Sequence, residues 1–131
     1  KTGCNTTLPF ALTSDGNQIA TLTQDCKIGI YDSLTFDEIS SFGSPYSDSA
    51  PAFSISPDNS LLVVVVRKSI EIWDIKTEKR IKKMDIPELA GTFDFYTHKT
   101  AFTPDGKIII INSTLFGQSS VTTFWAIPKA Q

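Results

Sequence analysis

The chain is poor in the residues that most chemistry relies on, with one histidine, two cysteines and one methionine among 131 residues. Its only histidine, His98, stands in a long connection with no serine or cysteine placed around it in a nucleophile motif, so it reads as a surface histidine. Cys4 and Cys26 lack metal-ligand spacing and are too few for a disulfide framework. They read as reduced thiols of an intracellular protein. No charge of one sign dominates: the net charge is -2, and no overall field draws the chain to nucleic acid or to an acidic membrane. No apolar run approaches the roughly 20 residues that span a bilayer, because Leu61–Val66 and Ile108–Ile111 are only strand-length. Neither an initiator methionine nor a signal-peptide pattern opens the sequence, so Lys1 reads as an interior cut or a processed end. No phosphate-cradling glycine loop occurs, and the acidic turns lack the alternating ligands of a calcium loop. The expectation is therefore a chain with no catalytic set, no metal, no cofactor and no small-molecule substrate.

What is present is globular composition, 40% hydrophobic and 11% aromatic, on a length sufficient for a real core. Asn5-Thr6-Thr7 and Asn112-Ser113-Thr114 match the glycosylation pattern, which bears on function only in a secreted chain. Along the chain one layout occurs three times, over Phe10–Asp32, Phe53–Asp74 and Phe102–Ile127. Each copy has a short apolar strand, a tight turn, a β-branched strand, a second turn and a strand ending in an aromatic. The first turns are Ser14-Asp15-Gly16, Pro57-Asp58-Asn59 and Pro104-Asp105-Gly106. Pro presets φ, Asp bonds the local backbone and Gly or Asn accepts positive φ. These turns follow one another at 43 and 47 residues, and the closing aromatics Tyr31, Trp73 and Trp125 at 42 and 52. A period in the forties made only of short strands indicates propeller blades.

At these residues the chain resembles the WD-repeat family. Trp73-Asp74 is the dipeptide that names the repeat, Tyr31-Asp32 is a common variant, and Trp125-Ala126 lacks the acid. The resemblance runs from about Phe10 to Ile127 and implies an all-β fold. Its blades would be four-stranded and antiparallel, of WD-repeat type, in a partial ring of three within one segment, 1–131. Blade one is expected over about 10–42 and blade two over about 52–85. Blade three is expected over about 100–127, without its outer strand. The sequence also departs from the family. Gly43-Ser44 holds the Gly-His position of the second repeat, and the third, near Thr92-Phe93, lacks the histidine as well. Asp25 fits the family's structural aspartate, whereas Arg67 and Ser119 replace it in the other repeats. With that polar tetrad mostly absent, apolar packing is expected to hold the blades. The runs Val63–Val66 and Ile108–Ile111 suit strands buried on both faces.

Three blades leave apolar faces open, since closed propellers have four to eight. The leading expectation is therefore the last three blades of a larger propeller, and the runner-up is a ring completed by a second copy or a partner. Aromatic residues on loops over a rigid scaffold suit a protein partner. The candidate contacts lie on one face of the disc: Tyr46, Arg67, Lys68, Phe93, Phe95, Tyr96, Leu115 and Phe116. Lys79, Arg80, Lys82 and Lys83 form a basic cluster in the outer strand of blade two. They could contact RNA phosphates, but read more simply as charges that protect a sheet edge. The stretch Ile75–Met84 also fits a short amphipathic helix, and only the repeat register favours a strand. The expected function is a non-enzymatic protein-interaction scaffold in a larger intracellular complex, cytoplasmic or nuclear. The alternative is an RNA-contacting subunit of a ribonucleoprotein or ribosome-assembly complex.

Overall fold

The computed structural model describes residues 4, 8–46, 50–89, 96–115 and 120–127. Their strands form three antiparallel meanders in chain order. The first holds β1 (Phe10–Leu12), β2 (Gln18–Leu22), β3 (Ile28–Asp32) and β4 (Glu38–Phe42). The second holds β5 (Ala52–Ile55), β6 (Leu61–Val66), β7 (Ser69–Asp74) and β8 (Lys79–Asp85). After a single 3₁₀ turn at Pro87–Leu89, the third holds β9 (Tyr96–Phe102), β10 (Ile108–Leu115) and β11 (Ser120–Ala126). Strand β5 lies beside both β1 and β9, so the first strands of the three sheets are neighbours.

Local chemistry builds the same hairpin three times. The hydroxyls of Thr13, Ser56 and Thr103 donate to the carboxylates of Asp15, Asp58 and Asp105 at 2.6, 2.7 and 2.7 Å. Those same carboxylates accept the backbone N–H of Asn17, Ser60 and Lys107. Gly16, Asn59 and Gly106 complete the turns at φ of 75°, 66° and 74°, the left-handed region in which glycine and asparagine cost least. The acid of the aromatic-acid dipeptide has an equally local task. Asp32 accepts the N–H groups of Leu34 and Thr35, and Asp74 accepts that of Thr77, so each caps the turn into the fourth strand. Ile75–Met84 accordingly holds a capped turn followed by strand β8, not a helix.

The sheets pack face to face through two apolar cores. Ala20, Leu22, Ile28 and Ile30 of the first sheet meet Phe53, Leu62, Val64 and Trp73 of the second. Val63, Val65, Ile70 and Ile72 meet Ile109 and Ile111 of the third. Strand β6 is thus sandwiched, and Val63–Val66 are buried on both faces. Each such side chain contributes roughly 1.5–3 kcal/mol of transfer free energy. Of the run Ile108–Ile111, Ile109 and Ile111 are fully buried, whereas Ile108 is exposed. The two-sided burial expected for Ile108–Ile111 is not met there, because no described sheet covers the far side of the third.

Two expectations about the scarce residues are overturned. Cys4 and Cys26 are joined in a disulfide, with Cα atoms 5.0 Å apart. The separation of 22 residues gives no hint of this, since it is the β2–β3 hairpin turn that returns Cys26 to the segment before β1. His98 is not a surface residue in a connection but a buried member of β9. Within single strands, side chains two residues apart also hydrogen-bond. The indole of Trp73 donates to Glu71 at 3.0 Å and that of Trp125 to Thr123 at 2.7 Å.

Candidate functional site

Between the first and second sheets, at the edge where the β4–β5 connection meets the β6–β7 turn, lies a cleft of about 480 Å3. Ser44, Pro45 and Tyr46 line it from the connection, and Val66 and Arg67 from the turn. Glu71, Trp73 and Arg80 line it from β7 and β8. Strand alternation puts Glu71 and Trp73 on one face of β7 and sends Ile70 and Ile72 into the opposite core. Glu71 is only 6% exposed, and a buried carboxylate requires donors. It has them: the Tyr46 hydroxyl and the Trp73 indole both donate to Oε1, while Arg80 lies 3.7 Å from Oε2. Burial, and then the bond to Glu71, pushes the Tyr46 phenol far above its ordinary value, so it remains a donor. Tyr46 is itself anchored, its N–H donating to the carbonyl of Cys26 at 2.9 Å. The floor is closely fitted as well. Gly43 turns at φ 87°, and a Cβ there would come 3.2 Å from the Trp73 ring.

Arg67 turns the β6–β7 hairpin at φ 55°, a conformation that costs a non-glycine residue about 1–2 kcal/mol. His98 braces that turn from the third sheet. Its Nε2 lies 2.7 Å from the Arg67 carbonyl and its Nδ1 2.9 Å from the Ser113 hydroxyl. A carbonyl only accepts, so Nε2 carries the proton and Nδ1 accepts from Ser113. Burial holds the imidazole below its ordinary value, outweighing the Arg67 bond. As pH falls through 6.5 the unfolded chain takes up a proton that the folded chain refuses, so stability declines from pH 7 towards pH 5 and returns on raising the pH. Thermal melts should show this slope in the wild type and a flatter one in His98→Gln; equal slopes would remove His98 as its source. Asp15, Asp58 and Asp105 are held below 3.8, chiefly by the Thr13 hydroxyl, the Ser60 hydroxyl and the Lys107 N–H. Their contribution is lost only in acid below that value, well apart from the histidine window.

The cleft unites Tyr46 and Arg67 from the expected partner surface with Arg80 from the basic cluster. Tyr46 does not stand out as a loop anchor; it is buried against Glu71. Lys68 lies beside Arg67 in the turn. Tyr96 and Leu115 are not loop residues but oppose one another at the ends of β9 and β10. Phe93, Phe95 and Phe116 lie outside the described residues. Lys79, Arg80, Lys82 and Lys83 are all exposed on β8. The register sets Arg80 opposite Trp73 and Lys83 opposite Glu71, with Lys79 opposite Asp74 and Lys82 opposite Ile72. Two therefore stand on each face of the strand, as suits a protected edge better than a single phosphate-binding stripe. Glu71 is the residue that sequence reasoning passed over. Its signal is its position two before Trp73, on the same face of the strand.

No protein-family model matches the sequence, and no curated protein matches it. Among solved structures, 605 chains match the backbone. One of them is Kuenenia stuttgartiensis hydrazine synthase, with a TM-score of 0.63 and 18% identity. The match covers 94% of this chain and 37% of that one, so the chain spans just over a third of its neighbour's length. At this identity the likeness concerns the fold, and an arrangement so widely used carries no function with it.

Proposed function

We propose that this chain is a non-enzymatic protein-binding module. Its three sheets are blades of a WD-type propeller, and the cleft between the first two is its recognition site. The observation that carries this reading is the convergence of Tyr46, Trp73 and Arg80 on the Glu71 carboxylate. A carboxylate so engaged by donors is a fixed polar feature, suited to orienting a bound group. Arg67, held at positive φ on the rim, agrees with it, because backbone strain gathers at functional positions. The WD reading is supported by the three equivalent hairpins, the capping role of Asp32 and Asp74, and the adjacent first strands. The Cys4–Cys26 bond favours an oxidising compartment over the intracellular setting expected from composition.

The test compares proteins captured by the immobilised wild-type chain with those captured by two variants. Arg67→Ala/Arg80→Ala alters the cleft rim, and Lys79→Glu/Lys82→Glu/Lys83→Glu alters the outer strand. The first should lose a partner by about tenfold or more in affinity, roughly 1.4 kcal/mol, and the second should retain it. Retention by the rim variant refutes the cleft. Loss by the lysine variant alone, with steep salt dependence, would put RNA contact in its place.

A further inference from the structure

The outward faces of the first and third described sheets repeat, over part of their register, the residues that pack between the sheets. Counting from the equivalent turn residues Thr13, Ser56 and Thr103, Phe10 corresponds to Phe53 and Leu12 to Ile55. Likewise Ile19 corresponds to Leu62 and Tyr31 to Trp73. In the second sheet this set packs on the first, and Phe53 is 6% exposed; on the first sheet its counterpart Phe10 is 72% exposed. The opposite faces share that register at one residue pair, whereas at the next the apolar Leu22–Ile28 and Val65–Ile70 give way in the third sheet to the hydrogen-bonded Asn112–Thr122. Ala20 and Ile30 correspond to Val63 and Ile72, and then to Ile110 and Phe124. Ile30 and Ile72 are 4% and 1% exposed beneath the following sheet, whereas Phe124 is 68% exposed.

We propose that the Phe124 face of one chain seats on the Phe10 face of a second copy, head to tail. Such a contact continues the sheet-to-sheet interfaces of the chain and does not depend on the cleft. One chain carries both halves, so a second copy covers both open faces at once. Two such contacts bring together six of the described sheets, within the four to eight that close radially, by one heterologous contact made twice.

Light scattering on the whole chain, from about 1 to 100 µM, should give twice the 14.4 kDa chain mass at the upper end. Phe10→Asp and Phe124→Asp each remove one half of the contact at an exposed position. Each should be monomeric, with the strand signature of the wild type preserved and a melting temperature that, unlike the wild type's, does not rise with concentration. Mixed in equal amounts, the two variants retain one intact pairing between them and should recover a heterodimer. A wild-type chain that stays monomeric at 100 µM overturns the proposal. So does a dimer that persists in either variant, or a mixture that fails to associate, since both belong to a contact other than head to tail.

Discussion

Replacing Trp73 with alanine is expected to lower the unfolding free energy by about 3–5 kcal/mol, among the largest losses a single side chain in this fold can cause. Three contributions meet at that ring. It is buried in the first core and tilted against Phe42, with ring centroids 5.4 Å apart. It closes the floor under Gly43. Its indole is also one of the donors that hold Glu71, so truncation leaves a buried carboxylate with fewer partners as well as a cavity. Urea unfolding should show a lower midpoint with an unchanged slope. Trp73→Phe separates the contributions. It keeps most of the apolar volume and forfeits the N–H bond, so a loss of about 1–2 kcal/mol is expected. If Trp73→Ala cost no more than Trp73→Phe, the ring would contribute nothing by packing at this position. A domain of this kind holds only about 5–15 kcal/mol in total, so the alanine variant should be compared near its temperature of maximum stability, about 10–20 °C.

The features legible from the sequence are those decided locally. A Ser or Thr two residues before Asp, with Gly or Asn just beyond, dictates its own turn, and three such turns in register placed most of the strands before any contact was known. The repeat also resolved β8, where composition alone favoured a helix as much as a strand, because Asp74 caps its turn as Asp32 does. What escaped reading depends on which distant groups the fold brings together. Glu71 reads as a surface charge until Tyr46 arrives from the preceding connection, and His98 reads as a loop residue until β9 is seen to begin at Tyr96. The β-branched run in β10 is nearly as apolar as that in β6. Only the presence or absence of a neighbouring sheet separates two-sided from one-sided burial, and no pattern within the run records its neighbours.

Reduction of the Cys4–Cys26 bond is expected to cost about 3 kcal/mol. The bond closes the loop from Cys4 to Cys26, which contains β1 and β2, and opening a loop of some 20 residues returns roughly that much chain entropy to the unfolded state. The native side contributes too. Cys26 is buried at φ 65° in the β2–β3 turn, and its carbonyl receives the N–H of Tyr46. The bond therefore fixes the segment before β1 to the turn that supports the cleft. Wild type with reductant and Cys4→Ser/Cys26→Ser without it should melt together, both below the oxidised chain. Reductant should leave the double variant unmoved, because it has no bond to break. Oxidised protein that reveals two titratable thiols when unfolded, and a melt indifferent to reductant, would disprove the bond. It would also return the chain to the reducing compartment expected from its composition.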